Sequence, residues 1–172
     1  MTYNIHPIFV HFPIALLFIY SLIKIFPFKK WFPNVSWKHI EILLLVVGVL
    51  GAFAADYTGS IAKHLLTPPP NRQLVQMHTL FAEISSVIYG ALLVGEILYF
   101  FTPWINTKLK LVQINSLLLF IQNILTSPLV STVLAILGLV AISITGLLGG
   151  AIVYGISADP FAAIVLHLLG IS

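Results

Sequence analysis

Cysteine is missing from all 172 residues, which excludes disulfides, thiolate metal sites, iron–sulfur ligation and covalently attached haem of the c type. Charge is scarce as well. Lys, Arg, Asp and Glu make up 8% of the chain, against about 25% in a soluble domain, too few to solvate a globular surface. The eight Lys and Arg residues form no stripe, so a net charge of +3 does not point to nucleic acid. No HExxH or GxSxG motif is present, which removes the hydrolases that carry them. A cleavable leader is not expected either. The opening MTYNI has no Lys or Arg, and no small-residue cleavage site follows the first apolar run, so that run reads as a retained helix.

What the chain has instead is hydrophobic length. Apolar residues reach 59% and the mean hydropathy is +1.07, the balance of an integral membrane protein. A span needs about 20 apolar residues. Four stretches qualify, at about residues 7–26, 39–66, 74–101 and 128–154, closed by Pro27 with Lys29-Lys30, by Thr67-Pro68-Pro69-Pro70, by Thr102-Pro103 and by Tyr154. Leu111–Thr126 is shorter and carries Gln113, Asn115, Gln122 and Asn123, and Phe161–Ile171 is shorter still. The first reads as an interfacial or partner-contacting helix before the last span, the second as a C-terminal surface helix. The expected fold is therefore all-α: one membrane domain over residues 1–172, a bundle of four transmembrane helices with two short extra ones.

Four spans put the N-terminus, the 67–73 loop and the C-terminal tail on one side. Lys24, Lys29, Lys30, Lys38, Lys108 and Lys110 fall on the other, against only Lys63 and Arg72 on the first. The positive-inside rule makes the lysine-rich side cytoplasmic, with both termini outside a bacterial inner membrane. Five of six histidines then belong to the outer side: His6, His11, His64, His78 and His167, with His39 alone on the cytoplasmic flank.

Depth separates these histidines. His11 lies about 7 Å inside the first span and His78 about 6 Å inside the third, at 1.5 Å per residue. Two imidazoles at matched depth on different helices are the arrangement a haem iron needs from its axial ligands. The plainer reading is a ring at headgroup level bonding water, and it fits His6, His64 and His167 better. Each ligand ring also needs an acceptor for its other nitrogen. Asp56 is an isolated acid in the second span and is the candidate orienter. Glu83 points about 140° away from His78 on the third helix and is a weaker one.

Small residues leave room beside these rings. Gly48, Ala52, Ala55 and Gly59 line one face of the second span, Ala82, Ser85 and Tyr89 share the face of His78, and Gly146, Gly149 and Gly150 make a groove on the fourth. Close helix packing explains such patterns in general, and a flat cofactor fits the last of them. Lys63 and Arg72 are placed to meet haem propionates or lipid phosphates.

The pieces HPIFVHFPIALL, GVLGAFAADYTG, His78 opening the third span and ITGLLGGAIVYGIS closing the fourth resemble a family of predicted bacterial membrane proteins catalogued as domain of unknown function 2231. The resemblance implies a four-helix membrane module, with relatives joined to outward-facing Rieske or cytochrome c domains, and hence a redox role at the outer face. This chain departs from that pattern in its 111–126 insertion, its apolar tail and the lack of a fused redox domain, so a redox partner would be a separate outward-facing chain or another membrane subunit. The leading expectation is a haem b-binding electron-transfer protein or a subunit of a respiratory complex, rather than an enzyme by itself. Its axial ligands would be His11 and His78, with Asp56 and the span-four glycines around them. The alternatives are a cofactor-free structural or assembly subunit, and a metal or proton carrier using His11, Asp56, His78 and Glu83. Carriers hold their cargo near the midplane, whereas these groups lie toward one face.

Overall fold

The computed structural model describes residues 5–65, 72–109, 112–156 and 160–170, with the side chains of 64–65, 104–109, 112–115 and 162 outside the description. The regular elements among them are all helices: α1 (His6–Ile25), α2 (Phe28–Trp31), α3 (Trp37–Leu65), α4 (Arg72–Leu109), α5 (Val112–Thr126), α6 (Pro128–Tyr154) and α7 (Pro160–Leu168). Four are long and apolar enough to cross a membrane: His6–Ile25, Trp37–Lys63, Arg72–Pro103 and Pro128–Tyr154. These are the four expected spans, and α5 and α7 are the two short extra helices. At 1.5 Å per residue α5 reaches about 22 Å, less than a hydrocarbon core of about 30 Å.

Each span is built inside out relative to a soluble helix. Only 22–33% of each apolar window is buried in the protein, so most of its surface is left for lipid. Phe53, Val87, Leu129 and Val140 are among the large side chains on that outer surface. Lipid is as apolar as leucine, so helix association rests on close packing and interhelical hydrogen bonds rather than on hydrophobic burial.

The packing of α1 on α3 illustrates this. The two run antiparallel, and a single face of α1 meets a ladder of glycines and one acid. A Cβ on Gly59 would lie 3.0 Å from the His6 ring, one on Gly51 3.3 Å from Pro13, and one on Gly48 2.5 Å from Leu17. At the far end Lys24 Nζ bonds Glu41 Oε2 at 2.9 Å. Residues 6, 13, 17 and 24 recur at seven, four and seven, the spacing that keeps a helical face within about 20° of one direction. Pro7 sits in the first turn of α1, where its missing N–H is harmless. Pro13 lies inside the helix and is buried. A proline at this place in the sequence suggests a kink that swings His11 toward the bundle axis; the proline itself takes the inward position, against Gly51.

α4 and α6 pair the same way, with Tyr89 laid across Gly138 and His78 beside Gly149. The core that all four spans share contains Leu17, Tyr20, Leu45, Val49, Tyr89, Leu92 and Ile142. A second cluster of Leu74, Leu148, Ala151 and Leu166 lies toward the end of the bundle where α1 begins, and through Leu166 it ties α7 to the bundle. The connection from α1 to α3 is an aromatic collar in which Phe28 stacks near Trp31 and Trp37, and Trp37 Nε1 donates to the Phe32 carbonyl at 2.9 Å. Such rings with neighbouring lysines belong at a membrane interface. The bundle thus has a histidine end and a lysine end.

Candidate functional site

Four helices converge at the histidine end. On α4, His78 is half-buried, and its Nδ1 donates to the backbone carbonyl of Thr145 on α6 at 3.0 Å. That carbonyl is reachable because residue 149, one turn on, is glycine: a Cβ there would sit 3.2 Å from His78 Cε1. The Thr145 hydroxyl turns back to the Ala141 carbonyl at 2.9 Å and leaves the approach open. A carbonyl only accepts, so Nδ1 carries the proton and the neutral ring presents its lone pair on Nε2.

On α1 the inward histidine is His6. Its Nδ1 meets Thr58 Oγ1 of α3 at 3.1 Å, and its ring lies over Gly59. Thr58 Oγ1 is itself 3.0 Å from the carbonyls of Ala54 and Ala55, so its one proton is directed to the backbone and its lone pair faces the ring. His6 therefore holds its proton on Nδ1 too. His6 and Lys63 both lie within electrostatic reach of His78, and Asp56 within reach of His6.

The other residues singled out from the sequence are spread around this centre. His11 is exposed on α1, and its Nδ1 donates to the Pro7 carbonyl one turn back. Asp56, Lys63, Arg72 and Glu83 are exposed. Gly146 is in ordinary contact with Ile14, and a Cβ on Gly150 would meet nothing within 4 Å. His167 is exposed on α7, His39 is exposed at the lysine end, and the His64 side chain lies outside the described residues. Of the expected cluster, the fold brings together His78, Gly149 and, through His6, the charge of Asp56.

Three features escape a reading of the sequence. Depth alone places His6 at the interface, although it shares the seven–four–seven face with Lys24. Glu41 does not stand out because it sits near a helix start beside Lys38, and Glu96 because it is a single acid within an apolar run. They are 1% and 7% exposed, and they hold Lys24, Lys29 and Lys38 in ion pairs. The third is at mid-bundle, where the Ser21 and Tyr89 hydroxyls share a hydrogen bond of 2.7 Å between α1 and α4.

His6 and His78 each have one nitrogen fixed by a protein acceptor and a glycine against the ring. Among the described residues no three His, Cys, Asp or Glu side chains come together as a metal cluster.

A family model described as predicted membrane protein (DUF2231) matches residues 2–159. No curated protein and no solved structure matches the chain.

Proposed function

The chain belongs to the DUF2231 family of predicted membrane proteins, and from that premise we propose that it is a haem b-binding electron-transfer protein, or the haem-bearing subunit of a redox complex, working at the histidine end. The observation that carries this reading is the anchoring of His78: the Thr145 carbonyl fixes its tautomer and Gly149 frees its approach, which is how a ligand imidazole is oriented. Haem, when bound, supplies the one-electron chemistry. The protein's share is to hold Nε2 of His78 in place, to present a second ring, and to bury both in a setting that shifts the potential.

Two rings compete for the second position. The sequence offers His11 at matched depth; the packing favours His6, which faces the bundle and lies within electrostatic reach of His78. Lys63 and Arg72 stand at the same end for propionates or lipid phosphates. If the positive-inside rule holds, this end faces the periplasm of a bacterial inner membrane, where a separate outward-facing redox protein or other membrane subunits would exchange electrons with it.

The test is an absorption spectrum of the purified, dithionite-reduced protein together with iron analysis. Haem b bands are expected in the wild type, lost in His78→Ala and in His6→Ala, and kept in His11→Ala. Loss in His11→Ala with retention in His6→Ala would reassign the ligand. A colourless, iron-free preparation that co-purifies with fixed partners would replace this reading with that of a structural subunit.

A further inference from the structure

The groups at the histidine end argue against a carrier because they lie toward one face; the folded bundle carries other polar groups along its whole length. On α4, residues 78, 85, 89 and 96 repeat the seven–four–seven spacing, so His78, Ser85, Tyr89 and Glu96 share one face. That face turns inward: Ser85, Tyr89 and Glu96 are 4%, 0% and 7% exposed. A membrane helix has no need to align three buried hydroxyl or carboxyl side chains, and intramembrane polar groups of this kind mark ion or proton pathways.

Groups on other helices complete the line. At the lysine end, Glu41 on α3 and Glu96 on α4 are the buried acids. Lys24 and Lys29 face Glu41, and Lys38 faces Glu96 at 2.7 Å while lying 5.2 Å from the centre of the Tyr99 ring. Glu41 Oε1 has Lys29 at 2.8 Å as an ion-pair contact, and Lys24 takes the other oxygen at 2.9 Å. Tyr20, 1% exposed, lies within electrostatic reach of Glu41, Glu96 and Tyr89 together. It stands edge-on to Tyr89, ring centres 6.2 Å apart. Tyr89 in turn bonds Ser21. One turn beyond, Ser85 lies on the same buried face toward the histidine end, its hydroxyl donating to the Phe81 carbonyl at 2.7 Å.

We propose that this line of buried carboxylates and hydroxyls is a proton-conducting path through the bundle, with entry at Glu41 and Glu96 and the Tyr89–Ser21 pair as its central step. Each transfer is a hop along a hydrogen bond, direct or through a water molecule: an oxygen receives one proton and passes on another. No group is oxidised, and none keeps a net change of charge. The path is carried by residues remote from the two histidines and does not depend on haem being present.

The experiment uses the full chain reconstituted in liposomes containing a pH-sensitive dye, with a potassium diffusion potential set by valinomycin. Wild-type vesicles are expected to acidify faster than protein-free ones. Tyr89→Phe keeps the ring and removes the hydroxyl, and is expected to cut the protein-dependent flux at least about tenfold, the scale of a lost proton-transfer group. The exposed Tyr57→Phe is expected to leave it unchanged. Should Tyr89→Phe fail to give a monodisperse helical protein, Ser21→Ala removes the other half of the same bond and decides the matter with the same expected drop. Wild-type flux equal to that of empty vesicles, or a folded Tyr89→Phe or Ser21→Ala that conducts like the wild type, overturns the proposal.

Discussion

His78 and the Thr145 carbonyl form the most specific polar contact at the histidine end, and a missing side chain makes it possible. Gly149→Ala would place a methyl 3.2 Å from His78 Cε1, which forces the ring or α6 to give by a few tenths of an ångström. The Nδ1–carbonyl bond is expected to weaken, at a cost of about 1 kcal/mol in unfolding free energy. Gly150→Ala is the matched control, since a Cβ there meets open space, and its change is expected within about 0.5 kcal/mol. Reversible unfolding of the two variants in mixed micelles measures the difference, and the imidazole resonances of His78 report whether the bond has moved. At mid-bundle the Tyr89–Ser21 bond is worth little to stability. Interhelical hydrogen bonds in membranes average about 0.6 kcal/mol, so Tyr89→Phe should unfold almost like the wild type. That small cost is what lets its effect on proton flux be read apart from folding.

Pairs of helices are held by glycines that accept a large neighbour. Gly48 receives Leu17, and Gly138 receives the Tyr89 ring; a methyl added at these positions would lie only 2.5 Å and 2.8 Å from the nearest side-chain atoms. Alanine at either position overpacks a full core and is expected to cost about 1–3 kcal/mol. The two are expected to differ in kind. Gly48→Ala loosens α1 from α3 and with it the contact of His6 with Thr58, whereas Gly138→Ala moves Tyr89 off Ser21 and should lower proton flux as well as stability. Unfolding midpoints read the first effect, and the liposome assay separates the second. α6 itself starts and stops on local signals: the Ser127 side chain accepts from the Val130 N–H, Pro128 opens the first turn, and Gly155 ends the helix at φ +88°. These termini are readable from SPL and VYG without any tertiary contact.

Across the whole molecule the two ends turn different chemistry inward, histidine rings held by a hydroxyl and a carbonyl at one, paired charges at the other. Glu41 joins α1 to α3, and Glu96 joins α3 to α4. Glu41→Gln strands Lys24, whose side chain is only 14% exposed, and is expected to cost up to about 3 kcal/mol, as broken buried pairs do. Glu96→Gln should cost less, because Lys38 is 43% exposed and water can take over its charge. Denaturant titration of both variants tests the order. Much of this architecture was legible in the sequence. Runs of apolar length dictate four spans, scarce charge dictates lipid as the solvent, and the spread of lysines marks one end, because each follows from composition along the chain. The choice of inward histidine was not legible in that way. His6 and His11 are five residues apart, about 140° around a helix, so one of them faces α3 and the other cannot. Hydropathy does not choose between them, since both sit among apolar neighbours in HPIFVHFPIALL. The tertiary structure decided it, by seating Pro13 on Gly51, Leu17 on Gly48 and Lys24 against Glu41, contacts that turn His6 toward Thr58 and leave His11 outside. The buried line from Glu96 to Ser85 was decided the same way. Its spacing was present in the sequence, but only packing against α1 and α6 closes that face off from lipid.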